Sequence, residues 1–170
     1  EGADRRQCDA AMEPTVALAR ECLGDLIFAE EDIELQDVVI RRLDQRGETL
    51  AVAEWGTDGR LAHALQSAAS ATGAMRGGIS AADRDALGDA LGVVAGDGAS
   101  WAGVVEAMAA AVRERFRADY GLAVVALSED AAAIAALADR NGARHQVLAP
   151  AGHPATRTVY HVKCALNMMR

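Results

Sequence analysis

Glu48-Thr49-Leu50-Ala51-Val52-Ala53-Glu54-Trp55-Gly56-Thr57-Asp58-Gly59-Arg60-Leu61 reads as a strand that turns tightly into a helix. The apolar residues 49–53 suit a buried strand, and Gly56 and Gly59 supply the turn. Leu61, Ala62, Leu65 and Ala69 then share one face of a helix over 58–69. A strand, glycine turn and helix in this order is where α/β enzymes hold a nucleophile or cradle a phosphate, because unpaired backbone N–H groups converge at the helix start. Yet this turn carries Trp55 and Asp58. A bulky ring fits a tight turn poorly, and a carboxylate repels phosphate.

The flanking sequence continues the alternation. Upstream, Leu35, Val38, Val39, Arg42 and Leu43 form an i, i+3, i+4 stripe on a helix over 33–46, with acids at its start, arginines at its end and Gly47 as the stop. Residues 1–12 read as polar and irregular, and Pro14 starts a short helix that Gly24 ends. Downstream, a second strand is expected over 75–80, followed by a helix to Leu91 whose capping box is Ser80 and Asp83. Ser100 caps a helix over 101–117 with Trp101, Val105, Met108, Val112 and Phe116 on one stripe, which makes Trp101 a core residue. Residues 120–127 form a continuous apolar strand. Residues 131–138 have helical propensity, but Asp139-Arg140-Asn141-Gly142 is a type I′ hairpin signal, which predicts strands 132–138 and 143–149. Pro150, Gly152 and Pro154 lead into a last helix bearing Val159, Val162, Leu166 and Met169. The fold class is therefore α/β, a three-layer α/β/α sandwich on a mixed sheet that includes a C-terminal β-hairpin.

Composition narrows the function. Hydrophobic residues make up 51% of the 170 residues but aromatics only 4%, so the core is built from thin layers of Ala, Val, Leu and Ile. No apolar run approaches the ~20 residues of a membrane span and no signal peptide is visible, so a cytoplasmic protein without a membrane partner is expected. A net charge of −8, with arginines interleaved among acids, opposes nucleic acid. Cys8, Cys22 and Cys164 lack metal or disulfide spacing and read as buried or incidental free thiols, and His63, His145, His153 and His161 lack ligand spacing. Neither a metal nor a cofactor is expected. Lys163 is the one lysine beside sixteen arginines.

The stretch Thr49-Leu50-Ala51-Val52-Ala53-Glu54 also resembles the T-L-A-V-A-E strand of the CinA C-terminal domains, the nicotinamide-nucleotide amidohydrolases. Leu35–Val39 with Arg46-Gly47, Gly77-Gly78-Ile79 with Leu91-Gly92-Val93, and Ala118–Val124 resemble further family segments, so the likeness covers residues 33–170. It implies a domain over 33–170, with 1–32 as a tail and short helix that end a preceding domain of a longer protein. It also implies a homodimer or other homo-oligomer and a small nucleotide ligand.

In that family a serine after the glutamate, activated by a lysine in a Y-S-N-x-x-K segment, cleaves the amide, since a serine hydroxyl needs an adjacent base and an oxyanion hole. Trp55 stands at the serine position and Leu87 at the lysine position. Where the family has T-G-I-A-G-P, this chain has Val125–Asp130, placing Glu129 and Asp130 where a phosphate would approach; at 4 Å, unit charges repel by about 1 kcal/mol even in water. The resemblance thus implies a catalytically degenerate domain kept as a structural, oligomerisation or regulatory module. The alternative is an active amidohydrolase or nucleotide-binding protein using Glu54 and Thr57.

Glu54 is either a general base or, more simply, a carboxylate that caps the next helix or pairs with an arginine. Thr57 reads as the N-cap of helix 58–69. Trp55 is either a hydrophobic plug, an indole burying about 200 Å², or a stacking platform for a planar ligand. Gly56, Gly59, Gly78 and Arg157, the last near a family arginine, complete the candidate ligand-binding set with Trp55.

Overall fold

In the computed structural model, β1 (Leu50–Trp55) lies inside a five-stranded sheet and is buried over its first five residues. The structure describes residues 4–69, 72–94, 99–127, 132–150 and 153–170. The chain divides into two units, Glu1–Ile33 and Glu34–Arg170.

In the first unit, α1 (Arg5–Leu23) begins well before Pro14. The Asp4 side chain accepts from Gln7 N and caps it, so residues read as irregular are helical. Pro14 sits inside the helix, where its ring costs one backbone hydrogen bond; the strong helix formers around it extend the helix through that site. Arg20 closes the unit with a two-pronged pair to Glu30, at 2.8 and 2.7 Å.

The second unit starts with α2 (Leu35–Arg46), followed after β1 by α3 (Arg60–Ala68), β2 (Met75–Ala81), α4 (Arg84–Leu91) and α5 (Trp101–Phe116). It continues through β3 (Tyr120–Ala126), β4 (Ala133–Asp139) and β5 (Gly142–Leu148) to α6 (Pro154–Asn167). Strand order is β2-β1-β3-β4-β5; β1 runs parallel to β2 and β3, and the hairpin strands are antiparallel. The mixed sheet follows from the hairpin, as expected.

Strand alternation divides the core. Leu50, Val52, Leu122 and Val124 face α2, α3 and α6, whereas Ala51, Ala53, Ala123 and Val125 face α4 and α5. This is the three-layer sandwich. The small residues on the second face let α5 approach closely: a Cβ on Gly121 would stand 2.0 Å from the Ala109 carbonyl oxygen. Lys163 joins α6 to the start of α2, donating to Glu34 and, at 2.8 Å, to Gln36.

Two local readings are corrected. Ser80 lies in β2, and the cap of α4 is Asp83 itself, accepting from Ala86 N at 2.8 Å. The hairpin turn is not type I′, because neither Arg140 nor Asn141 has a positive φ; Gly142 carries it at 144°. Asp139 Oδ1 accepts from Asn141 N at 2.6 Å, holding the turn from its side chain and removing the need for the primed geometry.

Candidate functional site

The candidate residues gather around the C-terminal end of β1, but the strand separates them. Glu54 is completely buried on the α3 side. Its Oε2 accepts from Thr57 Oγ1 at 2.6 Å and from Leu61 N at 3.0 Å, and its Oε1 accepts from Ala62 N at 2.9 Å. The carboxylate therefore supplies what a cap residue would, reaching from the strand to the first free amides of α3, where a negative charge is favoured. Thr57 is not the N-cap. That position belongs to Gly59, left-handed at φ 73°, while the buried Thr57 hydroxyl donates to Glu54. Glu54 took the role because a carboxylate at a strand end reaches two amides and a hydroxyl at once.

Trp55 projects the other way, onto the α4/α5 face, where it packs against the apolar cluster that includes Leu87 and Met108. Its ring stacks on Trp101 with centroids 6.1 Å apart and planes inclined by 29°. Arg84 places its guanidinium carbon 5.6 Å from the centroid of the Trp101 ring, within cation–π reach. Trp101 is thus not a plain core residue: it is half-buried in an Arg84, Trp101, Trp55 cluster. Its place directly after the Ser100 cap was the available signal, since a residue in the first helical turn lies at the rim of a layer. Leu87 is fully buried in the same apolar cluster.

The glycines serve packing. Gly56, at φ 74°, would bring a Cβ within 2.7 Å of the Ala126 carbonyl oxygen, so the turn after β1 closes directly onto the end of β3. That is the crevice in which parallel sheets usually receive ligands. Gly78 lies within β2, where a Cβ would come within 2.7 Å of Val52 Cγ2, on the face away from Trp55.

Arg157 is half-buried on the first turns of α6, in the layer that contains α2 and α3. One turn later His161 is buried, its Nε2 without a hydrogen-bond partner among the described residues. Burial, and to a smaller extent the Arg157 charge, holds the His161 pKa below its ordinary value against the support of the Ala149 backbone. Trp55 therefore shares no side-chain face with Glu54, Gly78 or Arg157. The Ser128, Glu129 and Asp130 segment, and Gly152, lie outside the described residues.

Among the described residues no three His, Cys, Asp or Glu side chains are placed to hold a metal ion, and no helix is long and apolar enough to cross a membrane. Cys8 and Cys164 are partly exposed and Cys22 exposed, all free thiols rather than buried ones. At the C-terminal end Met168 and Met169 pack on the core, while Tyr160 of α6 is exposed.

Comparison with known proteins agrees with this framework. A CinA-like protein of Frankia casuarinae is 39% identical over 129 residues, 74% of this chain and 30% of that protein, and one of Gemmatimonas aurantiaca is 32% identical over 127 residues, 72% and 30%. The chain thus spans about a third of the length of these curated relatives. The competence/damage inducible protein CihA of Agrobacterium tumefaciens shares the fold at a TM-score of 0.67 and 23% identity, covering 82% of this chain and 96% of that one. The competence damage-inducible protein A of Klebsiella pneumoniae matches at 0.68 and 26%, covering 78% and 90%. Residues 32–132 match the model of the CinA C-terminal domain, and the chain belongs to that family.

Proposed function

We propose that this chain is a catalytically degenerate CinA-type domain that serves as a structural, oligomerisation or regulatory module. The observation that carries the reading is what occupies the positions of the serine and lysine in the resemblance: Trp55, stacked on Trp101, and Leu87, sealed in the apolar core. The indole has no hydroxyl to attack with, and the leucine cannot take a proton. The plug reading of Trp55 is favoured by the same stack and by the packing of the ring on the apolar cluster of α4 and α5.

Glu54 does not make a persuasive substitute base. It is buried away from Trp55 and already accepts three hydrogen bonds. A nucleophilic Thr57 would have to break its bond to Glu54 and leave the interior. Ammonia release from nicotinamide mononucleotide by the purified protein tests the proposal. No release above buffer is expected; a clear turnover, lost on Glu54→Gln, would establish the altered amidohydrolase instead.

A further inference from the structure

The two edges of the sheet are built differently. β2 ends it on one side, and its register against β1 slips: Leu50 pairs with Met75 but Ala51 with Gly77, which leaves a bulge at Arg76. A bulge is one of the devices that keep an edge strand from pairing with another chain. β5 ends the sheet on the other side, seven residues long and paired with β4 without a slip from Asp139 opposite Gly142 to Ala133 opposite Leu148. It contains neither proline nor lysine. Among the described residues no further strand pairs with it. Alternate residues of β5 therefore turn their backbone N–H and C=O groups away from β4.

The flanking layers leave this edge open. Residues 133–138 of β4 are buried, whereas residues 142–147 of β5 are all exposed, Val147 to 60%. Arg144 and His145, the residues able to guard the edge with charge, are drawn onto the helices. Arg144 Nη2 donates to the Met168 carbonyl at the end of α6 at 2.9 Å, and His145 Nδ1 lies 2.8 Å from Glu106 Oε1 on α5. Each is held on one face of the sheet, away from the backbone edge.

The sequence of β5 suits pairing with itself. The chain carries a net charge of −8, yet residues 142–148 contain no acid, so a second copy approaches here without opposing carboxylates. A two-fold axis at His145 sets Ala143 opposite Val147 of the second copy, an apolar pair, and Arg144 opposite Gln146, while each His145 keeps its own Glu106 beside it. An axis at Arg144 would instead oppose two guanidinium groups.

We propose that β5 pairs antiparallel with β5 of a second copy about an axis at His145, joining two five-stranded sheets into one. This deepens the oligomerisation reading but uses neither Trp55 nor Leu87, so the ammonia-release assay and the test below fail separately. A five-residue overlap is a small contact beside the ~1,200 Å² or more of a standard interface, so the association is weak and concentration-dependent.

Sedimentation velocity on the full chain, with amide hydrogen exchange at low and high protein concentration, tests the pairing. A monomer–dimer equilibrium with a Kd of about 100 µM or tighter is expected, and alternate β5 amides exchange more slowly as the dimer fills. Val147→Lys, at an exposed position, weakens the dimer at least about tenfold with unchanged circular dichroism, because lysine is the usual guard of an edge strand. Gln146→Arg weakens it several-fold by facing Arg144 of the second copy, whereas Gln146→Glu strengthens it. These three exposed sites keep the test independent of the core. A chain that stays monomeric at about 1 mM overturns the proposal, as does a dimer that neither Val147→Lys nor Gln146→Arg weakens or whose β5 amides gain no protection, since that dimer uses another face.

Discussion

Glu54 and Trp55, adjacent in the chain, project to opposite faces of β1: the carboxylate caps α3, and the indole stacks on Trp101 of α5. One strand end thus serves both helix layers, and its two side chains are held by unrelated interactions. Substitutions at these neighbours should consequently have separate effects.

Glu54→Gln replaces an acceptor-only group with one that presents an NH₂ to a hydroxyl and to backbone amides. Loss of charge-assisted bonds in a buried site costs about 2 to 3 kcal/mol, read as a lower urea midpoint with an unchanged m-value. Thr57→Val, which removes one of the three donors, is expected to cost about 1 kcal/mol.

Trp55→Ala removes a half-buried ring from the stack and should cost about 2 kcal/mol, less than a fully buried tryptophan, with a change in Trp101 fluorescence. Leu87→Lys is different in kind, because it puts an ammonium among Ala51, Val105 and Met108. A cost of about 3 to 5 kcal/mol is expected in thermal unfolding, so a lysine introduced here is expected to harm the fold.

His161 should make stability depend on pH. Its folded pKa lies below the ordinary 6.5 because burial disfavours the charged ring. The unfolded chain then binds the proton more readily, so stability is full above about pH 6.5 and falls as pH drops from there toward the folded value. His161→Leu should flatten that part of the profile in urea midpoints measured from pH 8 to pH 5.

Gly121→Ala tests the close approach of β3 and α5. A Cβ 2.0 Å from the Ala109 carbonyl oxygen must displace helix backbone, and a loss of about 3 kcal/mol or more is expected from chemical denaturation.

Much of the framework was legible in residue order. Gly47, Ser100 and the hairpin signal mark boundaries through local backbone chemistry, and these fall where expected even though the turn type differs. Asp139 explains that difference, because its side chain bonds to Asn141 N and a turn signal based on Asn-Gly alone does not weigh it. Pro14 signals a helix start, but Asp4 caps α1 ten residues earlier, because a proline signal does not weigh a side-chain cap upstream of it.

The sequence by itself determined the alternation of strands and helices and the mixed sheet, because each follows from local periodicity or turn chemistry, and it set Trp55 and Leu87 at the positions where the resemblance implies a serine and a lysine. Only the tertiary structure decided what those residues meet. Residue identity leaves Glu54 as either a base or a cap, and α3 folding over it supplies the amides that it caps; Trp101 packs on the core but meets Trp55 only because the start of α5 lies beside the end of β1. Such contacts join residues far apart in the chain, and no local signal specifies them.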